Sequence, residues 1–229
     1  MQKVLSMILV LVMLLSLMSM SAFTMATNET GASSSARNDF MRVFHLDCGR
    51  KYFSVAEIKS LIDTASAANY THIELAVGND SLRFLLDDMS VTVDGKTYAS
   101  DDVKTQIHNG NVKYYDAGSV NELSQSDMDA IIAYAQSKNI SIIPLINTPG
   151  HMDAILSAAT SLTGVNCSAY DSVRTIDVAN TTAVAFTQAL LQKYINYFAG
   201  KGCKYFNFGA DEYANDRYTS GGMGFGNLQ

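Results

Sequence analysis

Basic charge is what this sequence has least of for its size. The 229 residues hold 16 Lys and Arg against 22 Asp and Glu, a net charge of −6. Protein surfaces that bind nucleic acid are basic, so this balance argues against nucleic acid as a partner. No run of lysine or arginine reads as a membrane-binding patch. Cysteine is nearly absent too: Cys48, Cys167 and Cys203 are scattered, odd in number and without paired spacing. That excludes a disulfide framework and argues against a metal site, leaving three small buried side chains. Neither a Gly-x-Gly-x-x-Gly turn nor a P-loop follows any predicted strand, so nucleotide chemistry is excluded as well. Tryptophan does not occur at all. What is abundant is apolar: 48% of the chain, enough for a sizeable core.

The longest apolar run is N-terminal. Lys3 precedes Val4 to Phe23, which carries no charge, and Thr24-Met25-Ala26 forms a cleavage site. Residues 1–26 are predicted to be a secretory signal, making the protein secreted or cell-surface and free of the membrane after cleavage. The run exceeds the usual ~7–15 residues, so an uncleaved anchor is the alternative. Residues 27–40 are small and polar, a flexible leader.

From residue 42 strands alternate with helices. "RVFHLD" is the first strand. Ser54 opens a helix with Glu57 three residues on, a capping box, and Val55, Ile58, Leu61, Ile62 and Ala65 fall on one face. Asn69 stops it. "HIELAV", 72–77, is the second strand. Ser126 begins a second helix, "ISIIPLI", 140–146, is a strand, and a further helix starts near Asp153. A longer helix runs from about Thr182 to Ala199, and "CKYFNF", 203–208, is the last strand. The alternation predicts a parallel α/β sheet with right-handed crossovers. Residues 87–123 interrupt it, with a period of two around Asp94-Gly95 that predicts a β-hairpin over the strand ends. A closed eight-stranded barrel needs ~250 residues, so two architectures remain: the first four βα units of a barrel, or a small open doubly wound sheet.

In either architecture ligands meet the carboxyl ends of the strands. There the chain delivers Asp47 and Arg50, then Asn79, Asp80 and Arg83, then His151, then Asp211 and Glu212. Taken singly, each has an ordinary explanation: an ion pair, a helix cap, a surface histidine. Together they converge on one rim. Carboxylates that split a glycosidic bond ordinarily flank it, ~5–9 Å apart. Adjacent residues diverge and cannot do so. One can be the general acid while the other acts on a substituent of the sugar, for which a 2-acetamido group is suited.

"NFGADE", 207–212, resembles the signature of family 20 glycoside hydrolases, the β-N-acetylhexosaminidases and lacto-N-biosidases. "LDCGRKYFS" resembles the family's first strand and Asp-x-x-Arg turn, and "NTPGHMDAI" its Pro-Gly-His turn. "GNDSLRFLLDDMSV" is closest to the Gram-positive, surface-associated branch. The resemblance covers about residues 42–225. It implies a TIM barrel, (β/α)8, of which residues 41–229 would hold the first four βα units, with the hairpin insertion near 87–123. It implies hydrolysis of terminal β-linked N-acetylhexosamine, or lacto-N-biose, from glycans by substrate-assisted retaining catalysis, without cofactor or metal. Glu212 would be the general acid/base and Asp211 would orient the acetamido group. Arg50 would hold sugar hydroxyls, His151 would link to Glu212, and Asp80 would complete that network with Asp47 nearby. The family has two acids where this chain has Asn79-Asp80. The family's tryptophan-lined pocket and its supporting tyrosine belong to later strands, so the sequence reads as a truncated chain that exposes two sheet edges and is unstable unless a partner completes it. Two other readings stand: a secreted glycan-binding module without catalysis, and a membrane-anchored structural domain.

Overall fold

The computed structural model describes residues 40–114, 121–169, 172–210 and 212–213. The predicted signal, nearly all of the leader, and Asp211 lie outside the described residues. The described residues from Arg42 onward belong to one compact unit. Four parallel strands form its sheet: β1 (Val43–Asp47), β2 (His72–Asn79), β6 (Ser141–Thr148) and β7 (Asn207–Gly209), in that order across the sheet. A two-residue strand β3 (Ser81–Leu82) turns back antiparallel on the end of β2.

The helices form where the chain supplies both a cap and an apolar stripe. Helix α1 (Val55–Ala67) starts at the capping box of Ser54 and Glu57. Its stop is the left-handed Asn69, φ 60°, the position after a helix where asparagine is tolerated. Helix α3 (Gln125–Ser137) begins one residue before the expected Ser126, because Ser124 is the cap: its hydroxyl accepts from Asp127 N, and Asp127 returns the bond. Helices α4 (Asp153–Thr163) and α5 (Thr181–Gly200) follow β6. The core lies between one sheet face and these helices. Ile73, Leu75 and Val77 of β2 and Ile142 and Ile146 of β6 meet Ile58, Ile62, Met128, Ile131, Phe186 and Leu190. Period-two alternation sends the other side chains, among them His45 and Glu74, to the opposite face.

The last strand is shorter than its apolar run suggested. Cys203 N donates to Phe198 O at 3.0 Å, closing the end of α5. Cys203 therefore closes the helix end, and ladder pairing begins only at Asn207.

Residues 87–123 hold more than a hairpin. Strands β4 (Val91–Val93) and β5 (Lys96–Tyr98) pair antiparallel. Asp94 (φ 51°) and Gly95 (φ 78°) form the turn, both left-handed as a tight two-residue hairpin requires. Helix α2 (Ser100–Tyr114) follows, unforeseen because its polar composition gave no strong stripe. The insertion does not lie as a free wall over the strand tips. Strand β4 packs on α5 and helix α2 on α4, with Lys193 of α5 held to Asp88 at 2.7 Å. Phe84 anchors the segment. It is fully buried, with ring centroids of Tyr194, Tyr197 and Phe198 at 5.6, 5.3 and 5.6 Å. Phe84→Ala should cost about 3–5 kcal/mol of unfolding free energy by urea titration, through the lost ring contacts and the cavity left behind.

Candidate active site

The polar residues predicted for the rim meet at the carboxyl ends of β1, β2, β6 and β7. Their turns are joined through the backbone first. Asp80 N donates to His151 O at 2.7 Å, and Ala154 N donates to Asp80 O at 2.9 Å. Asp80 (φ 61°), His151 (φ 54°), Ala210 (φ 63°) and Glu212 (φ 50°) are all left-handed. Each such residue costs of order 1–3 kcal/mol unless its surroundings hold it, and strain of this kind gathers at functional sites.

His151 is the centre of the cluster. It is 5% exposed, with Nδ1 2.7 Å from Asp80 Oδ1 and Nε2 2.8 Å from Glu212 Oε2. Arg50 Nε donates to Asp80 Oδ2 at 3.0 Å, and its Nη2 stands 3.2 Å from the same Nδ1. A guanidinium only donates and a carboxylate only accepts, so both cannot hydrogen-bond Nδ1 in one tautomer. The shorter contact decides: Nδ1 carries a proton toward Asp80, and Arg50 approaches without bonding to it. Nε2 and Glu212 Oε2 then share one proton between them. The Glu212 side chain itself is 52% exposed, so the proton is buried on one side and open on the other. Arg50 is exposed as well.

Asp47 plays a different part from a ligand contact. Its Oδ1 accepts from Gly49 N at 3.1 Å and Arg50 N at 3.0 Å, an Asx turn that aims Arg50. Its Oδ2 accepts from Asn79 Nδ2 at 2.8 Å. Its ion pair with Arg50 is long, 3.9 Å. Arg83 does not join the rim. It is buried, donating from Nε to Gly49 O at 2.8 Å and from Nη1 to Asn121 O at 3.3 Å, and so ties the first turn to the insertion.

Three residues escaped the sequence reading. Asn147, 5% exposed, donates to Asn79 Oδ1 at 3.2 Å and abuts the turn after β7. It stands at the tip of β6, where an uncharged amide gives a weaker chemical signal than His151. Asn207 was quoted only as part of the signature. Its Nδ2 donates to Glu74 Oε1 at 2.7 Å, a contact that spans three strands and leaves no local signal. Asp153 is the third. It is 1% exposed at the start of α4, and its Oδ2 has no hydrogen-bond partner. Burial, then the charge of Asp80, push its carboxyl up to about 6, with Arg174 Nη2 3.8 Å away opposing the rise. Burial and the adjacent Asp47 charge likewise raise the Cys48 thiol to about 12. Among the described residues no group of three or more His, Cys, Asp or Glu side chains is placed to hold a metal ion.

The arrangement is a buried proton-sharing chain, carboxylate to imidazole to carboxyl, with an arginine beside it and an open side facing solvent. The chain belongs to glycosyl hydrolase family 20, whose catalytic domain it matches over residues 40–222. It is similar to solved structures of the pneumococcal exo-β-D-N-acetylglucosaminidase StrH. One is 47% identical with a TM-score of 0.77, covering 80% of this chain and 45% of that one. Another, of the tandem family 20 catalytic modules, is 49% identical with a TM-score of 0.75, covering 78% and 44%. A lacto-N-biosidase from Bifidobacterium bifidum is 31% identical over 90 residues, 39% of this chain and 8% of that protein. The family 20 β-N-acetylhexosaminidase of Streptomyces coelicolor shares the fold at 23% identity, TM-score 0.56, over 73% of this chain and 32% of that one. The chain thus spans less than half the length of these relatives.

Two outcomes test the site's construction. A Cβ at Gly209 (φ 71°) would lie 1.6 Å from Asn147 Oδ1. Gly209→Ala should therefore cost about 2 kcal/mol or more by thermal or urea unfolding and break the His151–Glu212 contact, visible as a changed His151 ring resonance. For Asp153 the folded carboxyl binds its proton more tightly than the unfolded one, whose ordinary value is 3.8. Its stabilising contribution is complete below about pH 4 and is lost as pH rises through 6, on the order of 3 kcal/mol in all. Asp153→Asn should therefore gain stability relative to the parent chain between pH 4 and 7; a pH-independent difference would refute the assignment.

Proposed function

We propose that this chain carries the acid-bearing part of an enzyme that removes terminal β-linked N-acetylhexosamine, or lacto-N-biose, from glycans by substrate-assisted retaining catalysis. Strands β1, β2, β6 and β7 are the first four consecutive strands of a (β/α)8 barrel in this reading. The observation that carries it is the contact of His151 with Asp80 on one nitrogen and Glu212 on the other, 2.7 and 2.8 Å.

Glu212 is the general acid/base. With Oε2 turned to His151, Oε1 is left to face the leaving oxygen of a glycosidic bond. Proton loss from Glu212 is answered through Nε2, and Asp80 holds the imidazole in the tautomer that can accept. In the first step the substrate's acetamido oxygen attacks the anomeric carbon as the leaving oxygen takes the proton of Glu212. In the second, water attacks while Glu212 receives a proton, and configuration is retained. Asp211 orients the acetamido N–H and offsets the charge of the oxazolinium. Arg50, aimed by Asp47 and braced by Asp80, holds sugar hydroxyls. The pneumococcal relative is named for cleaving N-acetylglucosamine, and the bifidobacterial one for releasing lacto-N-biose. The apolar run of residues 4–23 fits export to where such glycans are met.

The test is hydrolysis of a chromogenic N-acetyl-β-glucosaminide. Glu212→Gln should lower kcat about 10²–10⁴-fold, and His151→Gln about tenfold or more. The exposed His108, whose ring contacts Glu122 at 2.9 Å away from the rim, gives the control: His108→Gln should change nothing. Equal rates for the Glu212→Gln and parent chains would end the enzyme reading, and retained glycan binding without turnover would favour a binding module.

A further inference from the structure

On the face of the sheet opposite the helix core, three polar side chains from three strands are joined. His45 and Glu74 are partners in the parallel register of β1 and β2. His45 Nδ1 lies 2.8 Å from Glu74 Oε2. The other oxygen, Oε1, does not serve a neighbouring strand. It passes over β6, where Ile143 is the register partner of Glu74, and accepts from Asn207 Nδ2 on β7 at 2.7 Å. The Glu74 side chain is 17% exposed, so both of its oxygens are committed in a largely apolar setting beside Ile143 and Leu145.

Asn207 divides its amide between two tasks. While Nδ2 is held by Glu74, Oδ1 accepts from Gly209 N at 2.8 Å. Gly209 is left-handed and is followed by left-handed Ala210 and Glu212. Strand β7 has only two register points with β6, Leu145 with Asn207 and Thr148 with Gly209. A strand this short does not fix the turn that follows it. Ala210 N donates to Thr148 O at 2.9 Å, and the Asn207 amide supplies the other restraint.

We propose that Glu74 is a positioning residue: by gripping the Asn207 amide across β6 it sets the rotamer that pins Gly209 N, and thereby the placement of the Glu212 carboxyl against His151. Glu74 touches neither substrate nor reacting atoms. Its effect is exerted through one amide group, and His45 keeps its second oxygen occupied so that the carboxylate does not swing away. This rests on the proposed role of Glu212, but its structural part stands apart from it. The charge on Glu74 is not what matters. A glutamine there can still accept from Asn207 with its carbonyl and offer its NH2 to His45, whereas leucine, of similar bulk, can do neither.

The experiment uses the full chain with Glu74→Leu and Glu74→Gln, read by amide NMR and by the chromogenic assay. In the unaltered chain the Gly209 amide should exchange slowly with solvent. In Glu74→Leu it should exchange at least about tenfold faster and shift, kcat should fall about tenfold with KM within about twofold, and Glu74→Gln should restore both. A Gly209 amide unchanged in a folded Glu74→Leu chain overturns the proposal, as does a fast-exchanging Gly209 amide in the unaltered chain, a measurement that serves even where the leucine variant does not fold. If Glu74→Leu frees the amide but no chain hydrolyses the glucosaminide, the positioning holds and the enzyme reading fails.

Discussion

The His151 imidazole, buried between Asp80 and Glu212, is the contact on which the rest of this structure turns. An imidazole taken out of water needs both nitrogens satisfied. Here each is met by a carboxyl from a different strand end, so the requirement of one ring fixes the spacing of three turns. The backbone of Asp80, donating to His151 O and accepting from Ala154 N, ties the same two turns together at the level of the main chain. Arg50 completes the charge balance around Asp80, and Asp47 is spent on holding Arg50 in place. The rim is thus layered: a core ring, the acids that satisfy it, and the amides and turns that aim those acids.

Much of this was legible in the sequence because it is local. The capping box at Ser54, the Asp94-Gly95 hairpin turn and the β2 alternation follow from neighbours a few residues apart. The rim followed from one rule, that parallel strands present their carboxyl ends together, applied to Asp47, Arg50, Asp80, His151 and Glu212. What did not follow is non-local or hidden by composition. Helix α2 has a polar composition with only Val103 and Ile107 as large buried apolar residues, and reads as a loop. The end of α5 takes Cys203 N, so an apolar run that looks like strand starts at a helix end and joins the ladder only at Asn207. Arg83 looks like a rim residue in sequence, yet its guanidinium is buried as a brace for Gly49 O and Asn121 O. Asn207 and Glu74 are separated by 133 positions, and no pattern in the chain announces that they meet.

The division of labour among neighbouring acids also follows from geometry. Asp153 and Asp80 are close enough for the charge of one to raise the proton affinity of the other. Asp80 is held by Arg50 and His151, while Asp153 has the more distant Arg174. Two carboxyls in one buried region with unequal partners settle into unequal protonation. Asp153, raised to about 6, then carries less than a full charge at mildly acidic pH.

The brevity of β7 carries an evolutionary consequence. A turn anchored by distant amides and not by its own ladder is insulated from drift in the strand that bears it. Asn147, on a different strand, forms the floor beneath Gly209 and leaves no room there for a side chain. Sequence constraint on the acid-bearing turn should therefore appear as covariation between remote positions, more than as conservation along the segment that contains the acids.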